Sequence, residues 1–120
     1  MNGISCISVN EAEDLMDSHE NVLLLDCREA RAYCAEHHPR AIHLNDLTLR
    51  TLLKNTPREV QVIIYCYHGH SSQDFAKLFA DFGFNNCHSV DGGFEAWRPL
   101  LLKEQPVRYR VNSSVVTQYV

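Results

Sequence analysis

No stretch of this sequence is apolar for long enough to cross a membrane. The longest such run, around Val22 to Leu25, has only the length of a strand. An excess of positive charge is missing too. Eleven Lys and Arg against 15 Asp and Glu leave a formal charge of −4, which disfavours nucleic acid as a partner. The cysteines, Cys6, Cys27, Cys34, Cys66 and Cys87, are odd in number and include no CxxC pair. That speaks against a disulfide framework and against a thioredoxin-type dithiol, and it suits a reducing setting. The opening Met1-Asn2-Gly3-Ile4-Ser5 lacks the charged-then-apolar build of a secretion signal, so a cytoplasmic location is expected. Repeats, low-complexity tracts and linkers are absent before the last stretch of chain. What is present, 120 residues with 45% hydrophobic and 22% charged, suits one globular domain with a modest core.

Apolar runs and helical periods alternate along the chain. Ile4 to Val9 reads as a short strand, and Asn10 with Glu13 as a helix cap and its capping box. Glu11 to Ser18 follows as a helix with Ala12, Leu15 and Met16 on one face. Val22 to Leu25 is continuously apolar, as in a strand covered on both faces. Arg31 to Glu36 reads as a helix stopping before Pro39, Ala41 to Leu44 as a brief strand, and Leu47 to Lys54 as a helix. Val60 to Tyr65 is a second buried strand. Phe75, Ala76, Leu78, Phe79 and Phe82 give Ser72 to Phe82 a helical period, and Gly83 stands where a glycine closes a helix. Cys87 to Val90 is a last strand, Asp91-Gly92-Gly93 a turn and Phe94 to Leu102 a final helix. The alternation predicts an α/β fold, a twisted parallel sheet with helices on both faces. Residues 104–120 differ: Val107, Tyr109 and Val111 alternate with Arg108, Arg110 and Asn112. They form either a disordered tail or an added strand pairing with this chain or a neighbour.

Chemistry is expected where the strand ending at Tyr65 meets Cys66-Tyr67-His68-Gly69-His70-Ser71-Ser72. Active sites of parallel sheets gather at the C-terminal ends of strands. Gly69 allows a positive φ, so a short loop can turn successive N–H groups inward as an anion nest. The helix that follows adds roughly half a positive charge at its N-terminus. An ordinary thiol of pKa about 8.5 is only a few per cent ionised at neutral pH, whereas such surroundings lower the value to about 3.5–7.5. The thiolate is the nucleophile. The same cradle would hold an added anionic sulfur. His68 and His70 read as solvated loop residues or as acid, base or thiolate partners. Tyr67 either lines the pocket or packs.

These residues resemble the rhodanese family of sulfurtransferases, most closely its small single-domain GlpE-type thiosulfate sulfurtransferases. Three motifs carry the likeness over residues 4–103. Leu23-Leu24-Leu25-Asp26-Cys27-Arg28-Glu29 is similar to the family's first signature, an apolar strand followed by Asp-x-Arg. Cys66 to Ser72 is similar to the active-site loop, and Asp91-Gly92-Gly93-Phe94-Glu95-Ala96-Trp97 to the signature before the last helix. The resemblance implies a rhodanese fold and Cys66 as the sulfur-carrying nucleophile. Tyr67, His68, Gly69, His70, Ser71 and Ser72 would surround the substrate, with loop N–H groups stabilising a persulfide. It implies thiosulfate as donor, cyanide, a small thiol or a thioredoxin-like protein as acceptor, and no metal or cofactor. Two features depart from the pattern. Glu36-His37-His38-Pro39-Arg40-Ala41 replaces a Gly-His-Ile-Pro-Gly-Ala turn, and the active loop holds no basic residue. Arg28 and Arg31 are then the candidates to meet thiosulfate's charge, with Arg28 read as a structural partner of a nearby carboxylate.

Other readings make distinct demands. A persulfide relay fed by a desulfurase would use the same cysteine. A cysteine phosphatase needs Cys-x5-Arg, because that arginine grips the oxyanion, and position 72 is Ser. A binding module without catalysis would have no need of the cysteine. Zinc on Cys27, Cys34, His37 and His38 would fit no usual ligand spacing.

Overall fold

The computed structural model describes residues 3–104. Its elements alternate: β1 (Ile4–Ile7), α1 (Val9–Ser18), β2 (Val22–Asp26), α2 (Ala30–Ala35), β3 (Ile42–His43), α3 (Asp46–Asn55), β4 (Gln61–Tyr65), α4 (Ser71–Asp81), β5 (Asn86–Val90) and α5 (Gly93–Glu104). The strands form one parallel sheet in the order β1-β5-β4-β2-β3. This is the α/β architecture that the alternation predicts, and each element falls within a few residues of its expected place. The expectation for the tail lies almost wholly outside the described residues.

The central strands explain the two-faced burial. Along β4, Ile63 and Tyr65 join a core with Met16 of α1 and Phe94, Trp97 and Leu101 of α5. Val62 and Ile64 point the other way, against Ala76 and Phe79 of α4 and Leu49, Leu52 and Leu53 of α3. Side chains alternate across a strand, so a run apolar at every position is what a sheet covered on both faces requires.

One cap differs from the sequence reading. The capping box of α1 is Ser8 with Glu11, not Asn10 with Glu13. Ser8 Oγ accepts from the Glu11 amide at 3.1 Å, and Glu11 Oε1 accepts from the Ser8 amide at 2.9 Å. Both pairs fit the same four-residue pattern, and tertiary contacts select between them. Glu13 faces the fold, where Oε2 accepts from Trp97 Nε1 at 3.0 Å and lies 2.9 Å from His38 Nε2. That leaves it unable to serve a cap.

The turn through residues 36–41 is built without the two glycines of the pattern it resembles. No non-glycine residue among those described has a positive φ, so Glu36 and Arg40 stand there without backbone strain. The turn is instead held by side chains: the His38 amide donates to Tyr65 Oη and the Arg40 amide to His38 Nδ1, both at 3.1 Å.

Candidate active site

Cys66 follows the last residue of β4 directly and is buried. Its Sγ accepts from the Gly69 amide at 3.1 Å and lies 3.4 Å from Ser72 Oγ. Gly69 makes this turn with φ 100°, a conformation side chains rarely adopt. Ser72 lies in the first turn of α4 and is fully buried, and its Oγ is 2.7 Å from Ser89 Oγ on β5. A thiolate accepts only. The Ser72 hydroxyl therefore donates to sulfur, and Ser89 donates to Ser72 in turn. Gln73 ties the loop down, its Nε2 donating to Gly69 O at 2.8 Å.

A further partner comes from the neighbouring strand. The Cys27 thiol, beside Cys66 in the parallel register, leads the groups that pull the Cys66 thiol down to about 3. The Ser72 hydroxyl and the Ser72 and Gly69 amides act in the same direction, while burial opposes them. The mirror effect appears at Cys27, which the neighbouring Cys66 sulfur and its own burial keep protonated well above the ordinary thiol range. The pair is thus one thiolate and one thiol at neutral pH. Cys87 is buried against the other end of α4, and burial raises it to about 11, so it has no thiolate to offer.

The other two motifs hold this loop in place. Arg28 is buried and grips Asp26 through both Nε and Nη2, at 2.6–3.1 Å, while Nη2 also donates to Glu36 O at 2.6 Å. Its guanidinium lies 4.4 Å from the centroid of the Phe94 ring and 5.6 Å from that of Tyr67. Arg28 is thus paired inside the fold through Nε and Nη2, as expected of a partner to a nearby carboxylate. Arg31 is exposed on α2. From the third motif, the Phe94 amide donates to Cys66 O at 2.8 Å and the Glu95 amide to Tyr67 O at 3.3 Å. Gly93 makes this approach possible: a Cβ there would sit 2.4 Å from Cys66 O and 2.5 Å from Tyr67 C and O.

The sequence-predicted loop residues divide. Cys66, Gly69 and Ser72 meet at the sulfur. Tyr67, His68, His70 and Ser71 are exposed around it, with His70 at the N-terminus of α4 making no side-chain cap. Cys27, Ser89 and Gly93 were not assigned to the site by sequence. Gly93 was visible as part of a signature before the last helix; Cys27 and Ser89 depend on strand register, which no local pattern reveals. The four residues weighed for zinc separate: Cys27 turns to Cys66, Cys34 is exposed, His37 stacks on Tyr33, and His38 meets Glu13.

Comparison with known proteins bears on the fold that carries this site. The family model for rhodanese-like domains matches residues 8–99. A rhodanese-like domain protein from Staphylococcus aureus superposes with a TM-score of 0.66 at 20% identity, covering 78% of this chain and 90% of that one. A protein from Bacillus halodurans gives 0.61 at 28% identity, over 82% and 72%. A Rhodopseudomonas palustris protein of unknown function, described as a possible tyrosine phosphatase, gives 0.67 at 23% identity, over 81% of each chain.

Proposed function

This chain belongs to the rhodanese-like domain family, and from that premise we propose that it transfers sulfane sulfur from thiosulfate to a nucleophilic acceptor through a Cys66 persulfide. One observation carries the reading: the buried Cys66 sulfur accepts from the Gly69 amide and lies 3.4 Å from the Ser72 hydroxyl, donors that favour its thiolate. The Cys66 thiolate attacks the outer sulfur of thiosulfate, the S–S bond breaks, and sulfite leaves with its electron pair. The outer sulfur of Cys66–S–S⁻ then carries the charge, and inward-facing donors of the loop stabilise it. The thiolate of a small thiol or thioredoxin-like protein, or cyanide, attacks that outer sulfur and returns Cys66 as thiolate. No step calls for a metal or a bound cofactor. A desulfurase persulfide in place of thiosulfate would make the same site a relay. The chemistry needs reduced thiols, which suits the cytoplasm.

Phosphate chemistry is the competing use of such a loop, and Ser72 in place of an arginine weighs against it. Two assays on one preparation separate them: thiocyanate formation from thiosulfate and cyanide, and phosphate release from an aryl phosphate. The expected outcome is thiocyanate only, abolished in Cys66→Ser. Phosphate release without thiocyanate, or transfer that survives in Cys66→Ser, would overturn the reading.

A further inference from the structure

Cys27 follows β2 directly, as Cys66 follows β4. The two strands are in parallel register, Leu25 beside Ile64 and Asp26 beside Tyr65. One step further on, the Cys27 amide donates to Tyr65 O at 3.0 Å, so the pairing continues past the strand ends. Leu25 and Ile64 share the α4 face of the sheet, and Cys27 packs on that face too. Alternation places Cys66 on the same side, so the two side chains leave adjacent strand ends toward the same face. Neighbouring strands run about 4.8 Å apart, within the roughly 4.4–6.8 Å between Cα atoms that a disulfide spans.

We propose that Cys27 is a resolving thiol for Cys66, and that hydroperoxides convert the pair to a reversible Cys27–Cys66 disulfide. The Cys66 thiolate attacks one peroxide oxygen; the O–O bond breaks, hydroxide or alkoxide leaves, and Cys66 becomes a sulfenic acid. Cys27 sulfur then attacks Cys66 Sγ, the S–O bond breaks, and the departing hydroxide takes the Cys27 proton to leave as water. The peroxide gains two electrons and each sulfur loses one. The order of events is built into the pair. While Cys66 is a thiolate it holds the Cys27 proton, and once Cys66 is oxidised that hold is gone. A thiol reductant restores both cysteines, whereas a sulfenic acid left unresolved proceeds to the irreversible sulfinic and sulfonic acids. The sulfur-transfer site would thus be closed and protected by the same bond.

The proposal rests on the reading of Cys66 as the reactive thiolate, but its test needs no sulfur transfer. Reduced full-length protein is treated with hydrogen peroxide, the remaining thiols are alkylated, and the cysteine peptides are mapped by mass. The expected result is a linked Cys27–Cys66 peptide two hydrogens lighter than the reduced pair, reversed by dithiothreitol. In Cys27→Ser, Cys66 should instead gain oxygen atoms that dithiothreitol does not remove. Wild-type Cys66 that gains oxygen as the variant does, or links to Cys6, Cys34 or Cys87 instead, would overturn the proposal. Because the wild-type map stands alone, misfolding of the variant would not obscure it. A linked pair in a protein that forms no thiocyanate would sink the transferase reading and leave this one standing.

Discussion

Ser72 takes the place that an oxyanion-gripping arginine would occupy, and its hydroxyl reaches the sulfur itself. A hydrogen bond to a charged group contributes about 1.5–3 kcal/mol, which corresponds to about one to two pH units of thiol acidity. The Cys66 thiol stands at about 3, so falling pH protonates it only near that value and it is a thiolate everywhere above. The first step of sulfur transfer should therefore stay level from neutrality down to about pH 4, where an ordinary thiol would lose about tenfold per unit. Ser72→Ala should move that acid limb upward by about one to two units and change the neutral rate little through ionisation. Single-turnover sulfite release against pH checks both. A limb near the ordinary thiol value in the wild type would contradict the hydrogen-bond network. Ser89 supports Ser72 from β5, so Ser89→Ala should produce a smaller shift in the same direction.

At the scale of elements, the three sequence motifs are three sides of one loop. The first motif clamps its own strand end through Asp26 and Arg28 and lays the guanidinium by Phe94 and Tyr67. The third meets the loop backbone, where Gly93 leaves no room for a side chain. Gly93→Ala adds both a collision with Cys66 O and a φ of 58° that side chains rarely adopt. It should cost about 2 kcal/mol or more and depress transfer beyond the loss of folded protein, as denaturant melts and rates per folded molecule would show. The capping of α1 gives a cleaner contrast. Ser8→Ala should lower stability by about 1 kcal/mol, and Asn10→Ala by a few tenths at most, by urea unfolding. The reverse order would return the cap to Asn10. The sequence reading named only Asn10 with Glu13, although Ser8 with Glu11 has the same spacing. What decided was Glu13 turning inward to Trp97, a contact between residues 84 positions apart.

For the molecule as a whole, what was legible in the chain was whatever has a local cause. Continuous apolar runs revealed the covered strands, helical periods revealed α3 and α4, and a cysteine at a strand end before a glycine-bearing loop revealed the nucleophile. What was not legible needed the sheet to be assembled. Parallel register brings Cys27 to Cys66 from 39 positions away in sequence, and β5 brings Ser89 under Ser72. The same assembly buried Arg28 against Asp26, and it let the 36–41 turn form without glycine. The central claim is covalent and concerns one sulfur, and intact mass of the whole protein tests it most directly. Incubated with thiosulfate under reducing-gas conditions and freed of small molecules, the wild type should gain the mass of one sulfur atom, released by cyanide as thiocyanate. The Cys66→Ser protein, with its other four cysteines intact, should gain none. No added sulfur on the wild type, or an equal gain on the variant, would contradict the account.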